Sequence, residues 1–188
     1  NSKTLSAEQI LNIGKKRGYK FIKYNFKIKG KYNLKDSMFN HRDIAHYNTL
    51  HKKMAKNMKH EIIHQGNVTT FLRYYNFLGF SVPMVAQLMD TKENQIVEIF
   101  SSIFFQFLKV NTENKIDDKN TESILEFYVG CKFKFLIFLA SPLIKRIVKI
   151  SFDDYILEDV PYMEIRGKLR EQGYLLDKDK DKITHYDT

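Results

Sequence analysis

The chain has 188 residues, of which 43% are hydrophobic, with 15 Phe and 11 Tyr, and it carries a formal net charge of +9. This length and apolar content suffice to bury a sizeable core, and no linker rich in Pro, Gly or Ser divides the sequence, so we predict one compact domain. A single cysteine excludes an internal disulfide framework, and the sequence has no apolar run of about 18 residues or more, which excludes a spanning helix.

The lone Cys131 and the lack of a signal-peptide pattern predict a cytoplasmic protein. Because the chain does not begin with Met, an upstream segment could have been removed. Its Lys and Arg residues are spread over several segments without a nucleic-acid-binding motif, so we predict no nucleic-acid partner. Such a basic surface would suit an acidic electron-carrier protein or an anionic membrane surface. The sequence leaves the oligomeric state open.

The predicted elements begin with a short amphipathic helix at about 4–13. A half-buried strand follows at 20–29, where apolar residues alternate with lysines. Helical sequence runs from about 34 to 58. Apolar or alternating segments then lie near 60–65, 67–78, 82–89, 94–102, 103–111 and 122–135, and a long helix is predicted from about 142 to 172. This order predicts an α+β fold with an antiparallel sheet.

One short segment combines an amide, a carboxylate and two imidazoles in the pattern N-x2-D-x2-H-x4-H, formed by Asn40, Asp43, His46 and His51. Two imidazoles and a carboxylate can hold a non-haem Fe(II) on one face and leave other positions open to oxygen and substrate. On a regular helix His46 and His51 are about 140° apart, so sharing a metal requires a widened or broken turn.

A matching carboxylate lies far downstream, at Asp159. An acid on a buried stripe needs a metal, a cation or a hydrogen-bonding partner. The apolar stripe that contains it follows helical spacing and comprises Val148, Phe152, Tyr155, Ile156 and Met163.

The segment D-I-A-H-Y-N-T-L-H at 43–51, with Asn three residues before it and an E-D-x4-E stretch at 158–164, resembles the catalytic domain of Rieske-type non-haem iron oxygenases, especially the monooxygenase branch. The resemblance covers roughly residues 19–174. It implies that His46, His51 and Asp159 are ligands of a mononuclear Fe(II). It also implies that Asp43 links the incoming electron to the iron site and that Asn40 is a polar neighbour of the metal.

The resemblance also implies a helix-grip (START-like, Bet v 1-like) fold, and the order of predicted elements fits it. In that fold an antiparallel sheet wraps around a long C-terminal helix and leaves an apolar cavity between them. We therefore predict an N-terminal helix or arm at 1–18, the helix-grip domain at 19–174 and a flexible polar tail at 175–188. These oxygenases hold their Rieske cluster with two Cys and two His, so this chain, with one cysteine, binds no such cluster and would take electrons from a separate ferredoxin or Rieske protein.

Three functions follow as hypotheses. The first is an iron-dependent oxygenase-like domain that hydroxylates or otherwise oxidises an apolar, aromatic or isoprenoid-like small molecule. The second is a non-catalytic START-like carrier of a lipid or other apolar ligand. The third is a zinc peptidase, because residues 60–64 spell H-E-x-x-H, with His60 and His64 as ligands and Glu61 activating water. That chemistry requires a helix, whereas β-branched residues and Gly66 predict a hairpin there.

Overall fold

The computed structural model describes residues 5–43, 58–64, 68–77, 80–101 and 105–173, and these residues form one sheet of seven strands flanked by helices. The strand order across the sheet is β1-β7-β6-β5-β4-β3-β2, and all neighbouring strands are antiparallel. The first and last strands in sequence are therefore paired near one edge. The strands are β1 (Lys20–Gly30), β2 (Met58–His64), β3 (Val68–Phe77), β4 (Phe80–Lys92), β5 (Gln95–Ser101), β6 (Phe105–Lys115) and β7 (Thr121–Cys131).

The helices are α1 (Ala7–Lys16), α2 (Leu34–Arg42), α3 (Lys134–Asp154) and α4 (Val160–Glu171). A π-helical segment, Tyr155–Asp159, joins α3 to α4. Together the three make a C-terminal helical region of 38 residues that packs on the sheet. This is the α+β helix-grip arrangement that the sequence predicts.

Helices cover both faces of the sheet. On the inner face, Ile144 and Val148 of α3 pack in one cluster with Leu125 and Val129 of β7. Helix α2 covers a second part of that face, where Met38 packs against side chains of β3, β4 and β5. Helix α1 packs on the opposite face, in the cluster of Ile10, Met89, Val97, Leu108 and Val110. The inner face between α2 and the C-terminal helical region is where Asn40 and Asp159 meet.

Sequence and structure agree on the order of elements and differ at several ends. Helix α1 starts at Ala7 because Ser6 and Gln9 form a capping box. The helix predicted from 34 to 58 is correct for α2, but Met58 begins β2, and residues 44–57 lie outside the described part. The long helix starts at Lys134, eight residues before the predicted start at Pro142. Pro142 removes one helical hydrogen bond, yet Ile144 and Val148 fix the surrounding turns on the sheet.

The π-helical segment has a local cause in the sequence. Pro161 has no N–H for the carbonyl of Leu157, and its ring would collide with that carbonyl in a regular α-helix. The chain widens there instead, and the N–H of Val160 bonds to the carbonyl of Tyr155, five residues back. Around this wide turn Tyr155 and Asp159 are buried, as the predicted stripe requires. Ile156 is exposed, so its placement on the stripe is wrong.

Candidate functional site

The structure brings together Asn40 and Asp159, which are 119 residues apart in sequence. Asn40 Nδ2 donates a hydrogen bond of 3.1 Å to Asp159 Oδ1, and both side chains are almost completely buried, with exposures of 1% and 4%. This contact joins the last turn of α2 to the end of the π-helical segment. The buried acid therefore has a hydrogen-bonding partner, and that partner belongs to the upstream motif segment.

Consecutive residues of α2 contact both ends of the π-helical segment. Asn40 bonds to Asp159, its last residue, and His41 stacks on Tyr155, its first residue, with ring centroids 5.8 Å apart and planes at 5°. π-helical turns inside α-helices are frequent at functional sites. Here the wide turn holds the buried Asp159 carboxylate beside the end of α2. The two predicted histidine ligands follow α2 in the sequence.

His41 and Tyr155 also belong to a buried polar network, which is centred on Glu113 of β6 and Ser123 of β7. Glu113 Oε1 accepts a hydrogen bond of 2.7 Å from His41 Nε2, and Glu113 Oε2 accepts one of 2.6 Å from the Ser123 hydroxyl. Ser123 Oγ is also 2.7 Å from the hydroxyl of Tyr32 and 2.9 Å from that of Tyr155. A hydroxyl has one donor and two acceptor lone pairs, so the serine proton goes to Glu113 and both tyrosines donate to Ser123.

Both tyrosines in the network titrate at unusually high pH. Burial, together with the negative charge of Glu113, raises the pKa of Tyr32 to about 12. The same two causes, burial first, raise the pKa of Tyr155 well above 10.0. Both phenols therefore keep their protons at neutral pH and remain hydrogen-bond donors. As fixed donors to Ser123, the two phenols support the π-helical segment from the sheet side.

A second polar contact docks α2 onto the C-terminal helical region. Asp36, one turn before Asn40 and completely buried, accepts a hydrogen bond of 3.0 Å from Arg170 Nη2 of α4. The guanidinium of Arg166 lies 3.8 Å from the same carboxylate and stacks over Phe39 at 3.7 Å from the ring centroid. Charge-assisted bonds of this kind have defined geometry. Asp36 and Asn40, on one face of α2, therefore fix its position along α4 and the π-helical segment.

Asp43, the predicted link to the electron donor, is buried at the C-terminal end of α2. A carboxylate there faces the negative end of the helix dipole, so its position does not stabilise the helix. It lies about one turn after Asn40, and in the sequence it precedes the two predicted histidine ligands. His46 and His51 lie outside the described residues.

The side chains described at the site fit a metal in part. Asp159 offers a buried carboxylate, and Asn40 Oδ1 is a buried oxygen with no hydrogen-bond donor among the described residues. Oxygen atoms of this kind suit a divalent cation or a bound water. Within the described part of the chain no three His, Cys, Asp or Glu side chains converge as a metal site requires. The predicted ligand set stays a prediction.

The H-E-x-x-H segment forms strand β2, at the edge of the sheet. It pairs with β3, with His60 opposite Arg73 and Ile62 opposite Phe71, and the pairing shifts between Ile62 and His64. A zincin motif places its two histidines one helical turn apart, which a strand does not provide. The predicted hairpin arrangement is confirmed for the strand, and the geometry of the segment does not match a zinc peptidase.

Sequence reasoning missed His41, Glu113 and the residues that support them. On β6, Asn111 and Glu113 look like solvent-facing positions, and polar side chains on an antiparallel strand usually are. The sequence of β7 contains the missing information. Ser123 lies two, four and six residues before Leu125, Phe127 and Val129, so all four side chains are on one face of the strand. Because those three apolar residues face the core, the partner of Ser123 across the sheet, Glu113, must face it too.

No protein-family model and no curated protein matches the sequence. Solved structures match its fold. The ZhuI aromatase/cyclase from Streptomyces sp. R1128 has a TM-score of 0.62 at 10% identity, covering 81% of this chain and 96% of that one. A START superfamily protein from Mycobacterium smegmatis has a TM-score of 0.58 at 12% identity, covering 81% and 99%. The chain has the START/Bet v 1-like helix-grip fold.

The quaternary ammonium Rieske monooxygenase CntA is also similar, with a TM-score of 0.56 at 16% identity over 93% of this chain. This chain spans about half of that oxygenase, 49% of its length. At such identities the likeness shows the fold and no activity, because one fold supports many functions. None of the helices in the described residues is long and apolar enough to cross a membrane.

Proposed function

We propose that this chain is a non-haem iron oxygenase-like domain that oxidises an apolar small molecule with electrons from a separate protein. The observation that carries the proposal is the buried contact between Asn40 and Asp159. These residues belong to two motif segments far apart in sequence, and the proposal requires them to meet at one site. A chance likeness of either segment would not require their side chains to share a hydrogen bond inside the protein.

His46, His51 and Asp159 are the proposed ligands of Fe(II), which when bound supplies the activation of dioxygen. The remaining roles belong to the chain itself. Asn40 restricts rotation of the Asp159 carboxylate by donating to Oδ1, in the way that outer partners orient ligating carboxylates. Asp43 is the proposed carboxylate between the site and the docking position of a ferredoxin or Rieske protein.

The proposed substrate position is the inner face of the sheet next to α2. Phe71, Ala86 and Phe100 form an apolar cluster there, and Phe107 packs against it. A buried ion pair between Arg73 and Glu98, 2.5 Å apart, lies among these rings, with the guanidinium 4.3 Å from the Phe100 ring centroid. Such a wall supports binding of a flat or isoprenoid-like molecule, with polar groups to orient it. We propose that the substrate cavity lies against this wall.

The proposal is tested by oxygen consumption with a candidate apolar substrate, a ferredoxin or Rieske protein and its reductase. His46→Ala should abolish substrate-dependent oxygen uptake and leave binding of the apolar ligand largely intact, because the metal activates oxygen while the cavity wall supplies the affinity. His60→Ala, on the edge strand, is the matched control and should retain activity. Ligand binding by wild-type protein without iron, unaffected by His46→Ala and without oxygen uptake, would show a carrier instead.

A further inference from the structure

Helix α3 is apolar on its outer side as well as on the side that faces the sheet. Ile144 and Val148 are buried against β7, whereas six large apolar side chains on the other side are exposed by 45% to 76%. They recur at helical spacing over about 22 Å. We call them the outer face of α3: Phe135, Phe138, Leu139, Leu143, Ile147 and Ile150.

Positive charge accompanies this face. Lys134, Lys145, Arg146 and Lys149 are exposed along α3, and the acids of the helix, Asp153 and Asp154, stand at its C-terminal end. Of the four cations, Lys149 is paired with Asp153 at 2.6 Å. Long basic side chains beside apolar ones can extend their charges to a polar boundary while their stems lie on apolar surface.

We infer that the outer face of α3 docks on an anionic membrane surface. An in-plane helix binds there through apolar side chains that enter the headgroup boundary, while basic side chains contact anionic headgroups. The apolar surface continues beyond α3, where Ile150, Ile156 and Leu157 line a cleft of about 340 Å³ with two aspartates. The helix is too polar to cross the bilayer, so it lies along the surface with its other side held by the sheet.

Charge favours a membrane over a second copy of this chain. A symmetric contact through this face would bring the exposed Lys145 and Arg146 of two copies together, with no acid on α3 before Asp153 to balance them. An anionic lipid surface complements the same cations, and it also complements the net charge of +9. The inference does not rest on the proposed iron chemistry, although a membrane is a source of apolar small molecules.

Vesicle co-sedimentation of the full chain tests the inference. Wild-type protein should bind phosphatidylcholine vesicles that contain phosphatidylserine, and bind weakly to phosphatidylcholine alone or at high salt. The double variant Leu139→Ser/Leu143→Ser should lower the partition coefficient by about tenfold or more. Neutralising Lys145 and Arg146 with Gln should lower it about 30-fold. Ile116→Ser, in the exposed turn between β6 and β7, is the matched control and should bind as wild type.

Circular dichroism should show the same fold in every variant, since the substituted side chains are exposed. Failure of wild-type protein to bind phosphatidylserine vesicles would overturn the inference, as would equal binding by the Leu139→Ser/Leu143→Ser protein. Analytical ultracentrifugation without lipid should show monomers. A dimer that dissociates in the leucine variant would assign the face to a second copy of the chain. Loss of oxygenase activity has no bearing on these readouts, so the two proposals fail separately.

Discussion

Removing His41 should strongly destabilise the fold, because this imidazole joins α2 to the polar network under the π-helical segment. His41→Ala deletes the 2.7 Å bond to Glu113 and the 3.2 Å contact with Asn111, both buried. It leaves the Glu113 carboxylate, completely buried, with the Ser123 hydroxyl as its remaining partner among these contacts. Leaving a buried acceptor without one of its donors costs about 1–3 kcal/mol, and more where the acceptor is a charged carboxylate. That is a large fraction of the stability of a typical domain.

The free energy of unfolding is measured by urea titration, followed by far-UV circular dichroism because the chain has no Trp. The control is Lys23→Ala, which removes the partner of Glu126 from an ion pair on the other face of the sheet, where the lysine side chain is 47% exposed. Exposed pairs contribute less than about 1 kcal/mol. A loss in His41→Ala no larger than in Lys23→Ala would refute the structural role of the network.

Three further predictions concern pH, the metal and packing. The folded pKa of Tyr32 is raised from 10.0 to about 12, so the unfolded chain loses this proton first. Its stabilising contribution should be full below pH 10 and fall by about 1.4 kcal/mol per pH unit toward pH 12, and Tyr32→Phe should reduce the measured slope by that amount. Asn40→Ala should weaken Fe(II) binding roughly 10- to 100-fold in anaerobic titrations, because Asp159 loses its orienting partner. Ile144→Ala, on the buried side of α3, should lower the free energy of unfolding by about 2–5 kcal/mol. Ile147→Ala, on the exposed side, should lower it by less than about 1 kcal/mol. Equal losses in the two variants would contradict the packing of α3 on the sheet.

Local periodicity was enough to predict the elements with one buried face. Strand β1 alternates lysines with apolar residues, and the structure has it at Lys20–Gly30. The helical stripe around Asp159 was predicted for the same reason, apart from Ile156. What periodicity could not give was the start of α3, because Pro142 looks like a helix start and its lost hydrogen bond is offset by contacts with β7 that only the folded chain contains.

The sequence motifs led to one contact of the candidate site, whereas the contacts that depend on strand pairing have no local signal. Asn40 and Asp159 were assigned to one site from two motifs, and their side chains meet. His41, by contrast, lies next to Asn40 and matches no position of the motif. Its role depends on Glu113, 72 residues away, whose burial follows from strand register rather than from any local pattern. A helix turn widened at Pro161 likewise has no periodic signature.

Iron loading tests the central claim most directly. Protein purified without a metal-affinity tag is reconstituted anaerobically with Fe(II), freed of excess metal and analysed for iron per chain. The account predicts one iron in wild-type protein, and none in His46→Ala or Asp159→Ala at unchanged secondary structure. Asp118→Ala, in the exposed β6–β7 turn, should bind iron as wild type does. Wild-type protein that stays iron-free under these conditions would contradict the claim and favour an apolar-ligand carrier.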